Sequence, residues 1–178
     1  GKVGLSEREA VKEGFQIASA LVPAGDKAHY YPGTRDIIIK LIADKTTKKL
    51  LGAEIVGEGV VDKRIDIIAT ALTFGATVDQ VSKLDLAYAP PYAMSMDAVI
   101  VAANVLGNKL SGKTMGILPH EVAERLDRGE DFVLLDVRTE MEYQSGHIKE
   151  SRHIPLDKLA SRIHELDSSK EIITYCRA

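Results

Sequence analysis

The sequence has a single cysteine, no long hydrophobic run and no excess of positive charge, and each absence excludes a class of protein. One cysteine in 178 residues cannot build an internal disulfide framework, which favours a reducing compartment and therefore the cytoplasm. No apolar run approaches the ~18–20 residues that a membrane-spanning helix needs, and Gly1–Leu5 is not a signal peptide. A net charge of -3 provides neither a basic field for nucleic acid nor a polybasic patch for a membrane.

The residues that are present describe a globular chain of one or two domains. Hydrophobic residues make up 45% and charged residues 28%, which is enough to bury a core. The stretch Leu110–Gly116 contains glycine and serine, and the order of predicted elements changes there. We therefore predict a first domain over residues 1–110, a linker over 111–116 and a second domain over 117–178.

The first domain is predicted to group its strands together and to place helices after them. Residues 15–22, 36–44 and 50–57 are rich in β-branched and apolar residues and predict strands, the last two joined as an antiparallel hairpin. Pro23–Gly25 is expected to end the first strand. A further short strand is expected over 84–88. This order is typical of an α+β domain with an antiparallel sheet.

Local patterns also predict where the helices of this domain begin. Ser6 with Glu9, and Thr77 with Gln80, have the spacing of capping boxes. A third helix is predicted over 61–74. A fourth follows the Pro90–Pro91 break, and its apolar face has the helical spacing of Val99, Ala102, Ala103 and Leu106.

The second domain alternates helix and strand, which predicts an α/β domain with a parallel sheet. Helices are predicted over 119–128 and 156–166. Buried strands are predicted over 132–136 and 171–175.

The segment Ala87–Asp97, AYAPPYAMSMD, resembles the C-terminal dimerisation domain of flavin-dependent pyridine nucleotide-disulfide reductases. The similarity is to the branch of coenzyme A-disulfide reductases and NADH oxidases. This resemblance implies a homodimer in which two tyrosines of one subunit reach the active site of the other. By position they are Tyr30 and Tyr88, and Tyr88 is expected near the partner's flavin. Tyr31 and Tyr92 are the alternatives.

A phenol has a chemical use beside a redox sulfur. With a pKa near 10, tyrosine keeps its proton at neutral pH and can donate a hydrogen bond to a developing thiolate. The other interpretation is that Tyr30 and Tyr88 are simply buried at a dimer interface, with water bridging their hydroxyls. The sequence leaves both open.

The segment Asp136–Leu159, DVRTEMEYQSGHIKESRHIPLDKL, resembles a rhodanese domain, and TYCRA places Cys176 directly after a strand. The resemblance implies that Cys176 is the nucleophile, whose thiolate attacks a sulfane sulfur and carries it as a persulfide. Arg177 would add positive charge to the loop. Asp136 and Arg138 are expected to hold the fold, by capping the following helix and pairing with each other.

Two alternatives remain for this domain. In the first, Cys176 is an ordinary exposed thiol. In the second, the domain belongs to the related phosphatases or arsenate reductases, which differ in the length of the loop that begins at the cysteine. The five histidines have no metal-ligand spacing with each other or with Cys176, so no metal is predicted.

The chain lacks a Gly-x-Gly-x-x-Gly motif and ends within the loop after Cys176, so we expect it to be part of a longer protein and inactive in isolation. The resemblances imply the C-terminal portion of an FAD- and NAD(P)H-dependent reductase of coenzyme A disulfide or persulfide, fused to a rhodanese domain. FAD, NAD(P)H and coenzyme A would be bound mainly by the rest of that protein. The rival hypothesis is a non-catalytic dimerisation or assembly module with a vestigial rhodanese-like interaction domain.

Overall fold

The computed structural model describes residues 1–117 and 119–176, and the chain forms two compact units. The first runs from Gly1 to Gly116, and the second begins at Ile117. The first unit contains, in chain order, β1 (Lys2–Gly4), α1 (Glu7–Lys12), β2 (Ile17–Gly25), β3 (Asp36–Asp44), β4 (Leu50–Gly57), α2 (Asp62–Thr73), α3 (Val78–Ser82) and α4 (Ala98–Leu110).

The strands of the first unit form one antiparallel sheet in the order β1-β4-β3-β2, and the predicted α+β class is confirmed. The predicted strands 36–44 and 50–57 are β3 and β4, paired as the expected hairpin. The prediction that Pro23–Gly25 ends the preceding strand is wrong, because β2 continues through Pro23 to Gly25. Proline has no backbone N–H, but β2 lies at the edge of the sheet, so no hydrogen bond of a central strand is lost.

Two longer helices pack against this sheet. Helix α2 packs on β1 and β4, and α4 packs on β2 and β3. From Ile37 to Leu41, alternate residues of β3 are buried, as the two-residue period of a strand requires. The predicted apolar face of α4 is confirmed, and the fully buried residues of β3 and α4 include Ile37, Ile39, Leu41, Val99, Ala102, Ala103 and Leu106.

Both predicted capping boxes are present. The Ser6 side chain accepts from the backbone N–H of Glu9 at the start of α1, and Thr77 accepts from that of Gln80 at the start of α3. The short strand predicted over 84–88 is wrong, because this segment forms no ladder with any strand of the sheet. Among the described residues, every helix is too short or too polar to cross a bilayer.

The second unit is described over residue 117 and residues 119–176. It contains α5 (Pro119–Asp127), β5 (Val133–Asp136), α6 (Glu140–Ser145), β6 (Arg152–His153), α7 (Leu156–Arg162), a 3-10 turn (Ile163–Glu165) and β7 (Ile172–Tyr175). The helix predicted over 156–166 therefore ends earlier than expected and tightens into the 3-10 turn.

The three strands of this unit are parallel, in the order β6-β5-β7, as predicted. Buried residues of the sheet and of the segment after β6 form its core: Leu134, Leu135, Ile154 and Ile173. In β5 and β7, Asp136 is paired with Tyr175. The residues that follow Asp136 and Tyr175 therefore leave the sheet at the same carboxyl edge, where ligands bind in open α/β sheets.

Candidate functional site

The first candidate site is a pair of tyrosines on two connecting segments of the first unit. Tyr30 lies on the loop of residues 26–35, which joins β2 to β3, and Tyr88 lies on residues 83–97, which join α3 to α4. Their side chains lie close enough for the two hydroxyls to interact. Tyr30 is 65% exposed and Tyr88 is 50% exposed, so both phenols are open to a partner.

The neighbouring phenol makes Tyr88 a weaker acid. The interaction with Tyr30, followed by partial burial, raises the pKa of Tyr88 above the ordinary value of 10.0. Tyr88 therefore keeps its proton at neutral pH and can donate a hydrogen bond.

The alternative tyrosines lie outside the pair. Tyr31 is half-buried and is held in its turn by its backbone, since its N–H donates to the carbonyl of Ala28 at 2.8 Å. Tyr92 is 68% exposed, and its backbone N–H donates to Ala89 at 2.9 Å. The ring of His29 meets that of Tyr30 edge to face, with centroids 5.4 Å apart.

A buried arginine bonds to the two segments that carry this pair, and it was not predicted from the sequence. Arg64 of α2 is fully buried and forms an ion pair with Asp97 at 2.9 Å. The buried residues of this helix are Arg64, Ile68 and Ala71. Arg64 has the i, i+4, i+7 spacing with the other two residues, and that spacing was the available sign that it faces the core.

The second candidate site is a pocket beside Cys176 in the second unit. Cys176 is exposed and follows β7 directly, at the carboxyl edge of the parallel sheet. The pocket has a volume of about 330 Å³ and is lined by Arg138, Gly146, His147, Ile148, Tyr175 and Cys176. Arg177, predicted to add charge to this loop, lies outside the described residues.

Asp136 and Arg138 form the predicted pair at this edge. The fully buried Asp136 carboxylate accepts from the Arg138 side chain at 2.6 and 3.0 Å and from its backbone N–H at 2.9 Å. Burial by itself raises the pKa of Asp136, but hydrogen bonds from Arg138 and Tyr175 outweigh it and lower the pKa to about 2. The pairing with Asp136 raises the pKa of Arg138, which stays charged.

Asp136 does not cap the following helix, which corrects one expectation. Thr139 is the N-cap of α6, and it forms a capping box with Glu142. The carboxylate of Asp136 is occupied by Arg138, whose Nη2 also donates to the carbonyl of Gly146 at 2.8 Å. The pair thus ties the end of β5 to the turn that lines the pocket.

Aromatic rings stack behind the pocket in an arrangement that the sequence did not predict. Tyr143 lies between His147 and His153, with ring centroids 3.8 and 4.2 Å from its own. The Nδ1 of His147 lies 3.0 Å from the carbonyl oxygen of Tyr143. His147 is therefore held as one wall of the pocket. Over residues 1–117 and 119–176, no group of three His, Cys, Asp or Glu side chains is arranged to hold a metal.

Comparison with protein families assigns both units. Residues 1–100 match the family model described as the pyridine nucleotide-disulphide oxidoreductase dimerisation domain. Residues 118–178 match the model described as a rhodanese-like domain.

A curated relative matches more than half of the chain. The "NAD(P)H sulfur oxidoreductase (CoA-dependent)" of Pyrococcus furiosus is 48% identical over 106 residues, which cover 60% of this chain and 24% of the relative. The chain thus spans about a quarter of the length of the curated relative that it matches.

Two solved structures match nearly the whole chain. The reduced CoADR-RHD of Bacillus anthracis superposes with a TM-score of 0.90 at 35% identity, covering 99% of this chain and 31% of the other. The NAD-dependent persulfide reductase of A. fulgidus superposes with a TM-score of 0.87 at 41% identity, covering 98% and 31%. The chain belongs to the pyridine nucleotide-disulphide oxidoreductase family through its dimerisation domain, and a rhodanese-like domain follows that domain.

Proposed function

We propose that this chain is the C-terminal portion of an FAD- and NAD(P)H-dependent reductase of coenzyme A disulfide or persulfide, with a fused rhodanese sulfur-transfer domain. In a homodimer, it would supply the dimer interface and lend Tyr30 and Tyr88 to the thiol and flavin site of the partner subunit. The observation that carries this proposal is the pairing of these two phenols, which interact with each other and are exposed.

The names of the similar proteins support the substrate class. The Pyrococcus relative is named a CoA-dependent NAD(P)H sulfur oxidoreductase, and the A. fulgidus structure is named a persulfide reductase. FAD, when bound, would pass electrons from the nicotinamide to a redox-active sulfur. The exposed phenol of Tyr88 fits a place near that flavin.

The phenols would act by donating hydrogen bonds. One hydroxyl of the pair would donate to the sulfur that gains negative charge when a disulfide or persulfide bond breaks, and the other hydroxyl would donate to the first. A donor placed at developing charge stabilises the transition state. A donor that itself accepts a hydrogen bond is polarised and becomes a stronger donor.

The rhodanese-like unit would transfer sulfur through Cys176. With thiosulfate as donor, the Cys176 thiolate attacks the outer sulfur and a new sulfur–sulfur bond forms. The bond within thiosulfate breaks, sulfite leaves with its electron pair, and Cys176 holds a persulfide. An acceptor thiolate then takes the outer sulfur and restores the Cys176 thiolate. The single cysteine of the sequence supports a location in the cytoplasm.

The test of the tyrosine pair uses the full-length enzyme. Tyr30→Phe and Tyr88→Phe are expected to lower turnover of coenzyme A disulfide while FAD stays bound. Loss of one such donor costs about 10²–10³ in kcat in a site of this kind. Tyr92→Phe removes an exposed hydroxyl outside the pair and serves as the matched control. Unchanged turnover in both Tyr30→Phe and Tyr88→Phe would remove the catalytic role of the phenols.

A second measurement separates sulfur transfer from the assembly-module hypothesis. The full-length protein is incubated with thiosulfate, and its mass is recorded under non-reducing conditions. We expect the mass of one added sulfur on Cys176 and none in Cys176→Ser. A protein that gains no sulfur with its loop intact supports a vestigial interaction domain instead.

A further inference from the structure

We propose that Arg64 is the positioning residue of the tyrosine pair, because its guanidinium bonds to both segments that carry Tyr30 and Tyr88. The proposal deepens the function proposed above and rests on it for its catalytic consequence. Its structural part concerns the position of the two phenols relative to each other and needs no turnover to be tested.

Arg64 first bonds to the loop of residues 26–35 where that loop begins. Nη2 donates to the carbonyl of Asp26 at 2.7 Å. Asp26 in turn closes the loop, since its N–H donates to the carbonyl of Arg35 at 2.9 Å and its carboxylate accepts from the N–H of Arg35 at 2.9 Å. Fixing Asp26 therefore fixes both ends of the loop that displays Tyr30.

Arg64 also bonds to the last residue of the segment 83–97, which carries Tyr88. Nη2 donates to Oδ2 of Asp97 at 2.9 Å, and Nε donates to its Oδ1 at 3.4 Å. Asp97 is also the N-cap of α4, because its Oδ1 accepts from the N–H of Val99 at 3.0 Å. The segment is thus fastened to Arg64 and to the helix in the same place.

A third contact holds the guanidinium itself in position. Nη1 donates to the carbonyl of Val60 at 2.9 Å, one turn before Arg64 in the chain. The side chain of Arg64 is fully buried and that of Asp97 is 2% exposed. Three acceptors from three segments need a planar fork of donors, which arginine has and the single ammonium of lysine lacks.

A purely stabilising role does not explain this choice of residue. A buried ion pair contributes little net stability, because the cost of desolvating both charges offsets their attraction, and apolar residues of similar volume often serve as well. The phenols are at least half exposed, so core packing does not determine their separation. Their geometry depends on how the backbone of each segment is fastened, and Arg64 is bonded to both.

The structural test follows the tyrosine rings of this chain by NMR after ring labelling. We expect Arg64→Lys to separate the hydroxyls of Tyr30 and Tyr88, so that Tyr88 titrates at a lower pH than in the wild type and at the same pH as in Tyr30→Phe. Arg35→Lys, at an exposed arginine of the same loop, is the matched control and should leave the titration of Tyr88 unchanged.

A second variant keeps the proposal testable if Arg64→Lys does not fold. The double substitution Arg64→Met with Asp97→Asn removes both buried charges together. We expect the methyl signals of Ile68 and Leu106 to remain native while the titration of Tyr88 again matches that of Tyr30→Phe. Wild-type titration of Tyr88 in both Arg64 variants would overturn the proposal.

The catalytic consequence is tested in the full-length enzyme by a double-mutant cycle. Arg64→Lys is expected to lower kcat for disulfide reduction about tenfold or more, with the KM for the nicotinamide nucleotide unchanged. Combined with Tyr30→Phe, it should add no further loss, because both changes remove the same donor. Independent, multiplying losses would overturn positioning through the pair. If the titration of Tyr88 shifts but none of the variants loses turnover, the positioning stands and the proposed function of the phenols falls.

Discussion

Replacing Asp136 by asparagine removes the negative charge from the buried pair at the carboxyl edge of the second sheet. Three donor atoms of Arg138, counting its backbone N–H, bond to this carboxylate. Together with Tyr175, they outweigh the effect of burial and hold its pKa at about 2, against an ordinary value of 3.8. Since each pKa unit is worth about 1.4 kcal/mol, the charged form contributes about 2 kcal/mol to the stability of the second unit.

The sign of this effect determines its dependence on pH. The pKa is lower in the folded protein, so the contribution is complete above about pH 4, where the unfolded chain is also ionised. It is lost as the pH falls from about 4 through about 2, because the folded carboxylate then takes up a proton. Asparagine resembles the protonated acid, so the stability difference between wild type and Asp136→Asn should disappear over the same range.

Urea unfolding measures this difference at a series of pH values from 7 to 2. The methyl NMR signals of Leu134 and Ile173 report on the second unit alone. Asp131→Asn is the matched control, because Asp131 is paired with Lys170 but is 75% exposed, and exposed pairs contribute ~1 kcal/mol or less. An Asp136→Asn deficit that is equally large at pH 7 and pH 2 would refute this reasoning.

Two further predictions concern the first unit. Ile68→Ala should lower the free energy of unfolding by about 2–5 kcal/mol in urea titrations, because it opens a cavity at a fully buried position; a loss below about 1 kcal/mol would contradict this packing. Gly52→Ala should release β1 from β4, because a Cβ there would lie 2.1 Å from the backbone oxygen of Leu5. Faster hydrogen exchange at Leu5, whose N–H bonds to Leu51, would show this release, and unchanged exchange would contradict it.

Local patterns predicted most elements because their causes lie within a few residues. The strand over Asp36–Asp44 matches its prediction residue for residue, since its β-branched residues favour extended backbone. The boxes at Ser6 and Thr77 involve residues three positions apart. The predictions failed for segments whose structure depends on which strands pair with them. Pro23 remained in a strand because that strand lies at an edge, and residues 84–88 formed none because no strand pairs with them.

The candidate site divides in the same way. The resemblance of short motifs selected Tyr30, Tyr88 and Cys176 as residues of interest. It did not predict that the two phenols interact with each other, which depends on two segments more than fifty residues apart. Arg64 was missed because a charged side chain is expected at the surface unless its partners are known.

The sequence by itself determined the elements, their capping and the two families, because these depend on residues close together in the chain. The tertiary structure decided which polar groups meet. Arg64 can be buried only because Asp26, Val60 and Asp97 come together around it, and those contacts arise when the helices close over the sheet. Burial without such partners would cost several kcal/mol, so the position of the tyrosine pair follows from the assembled fold and from no single segment.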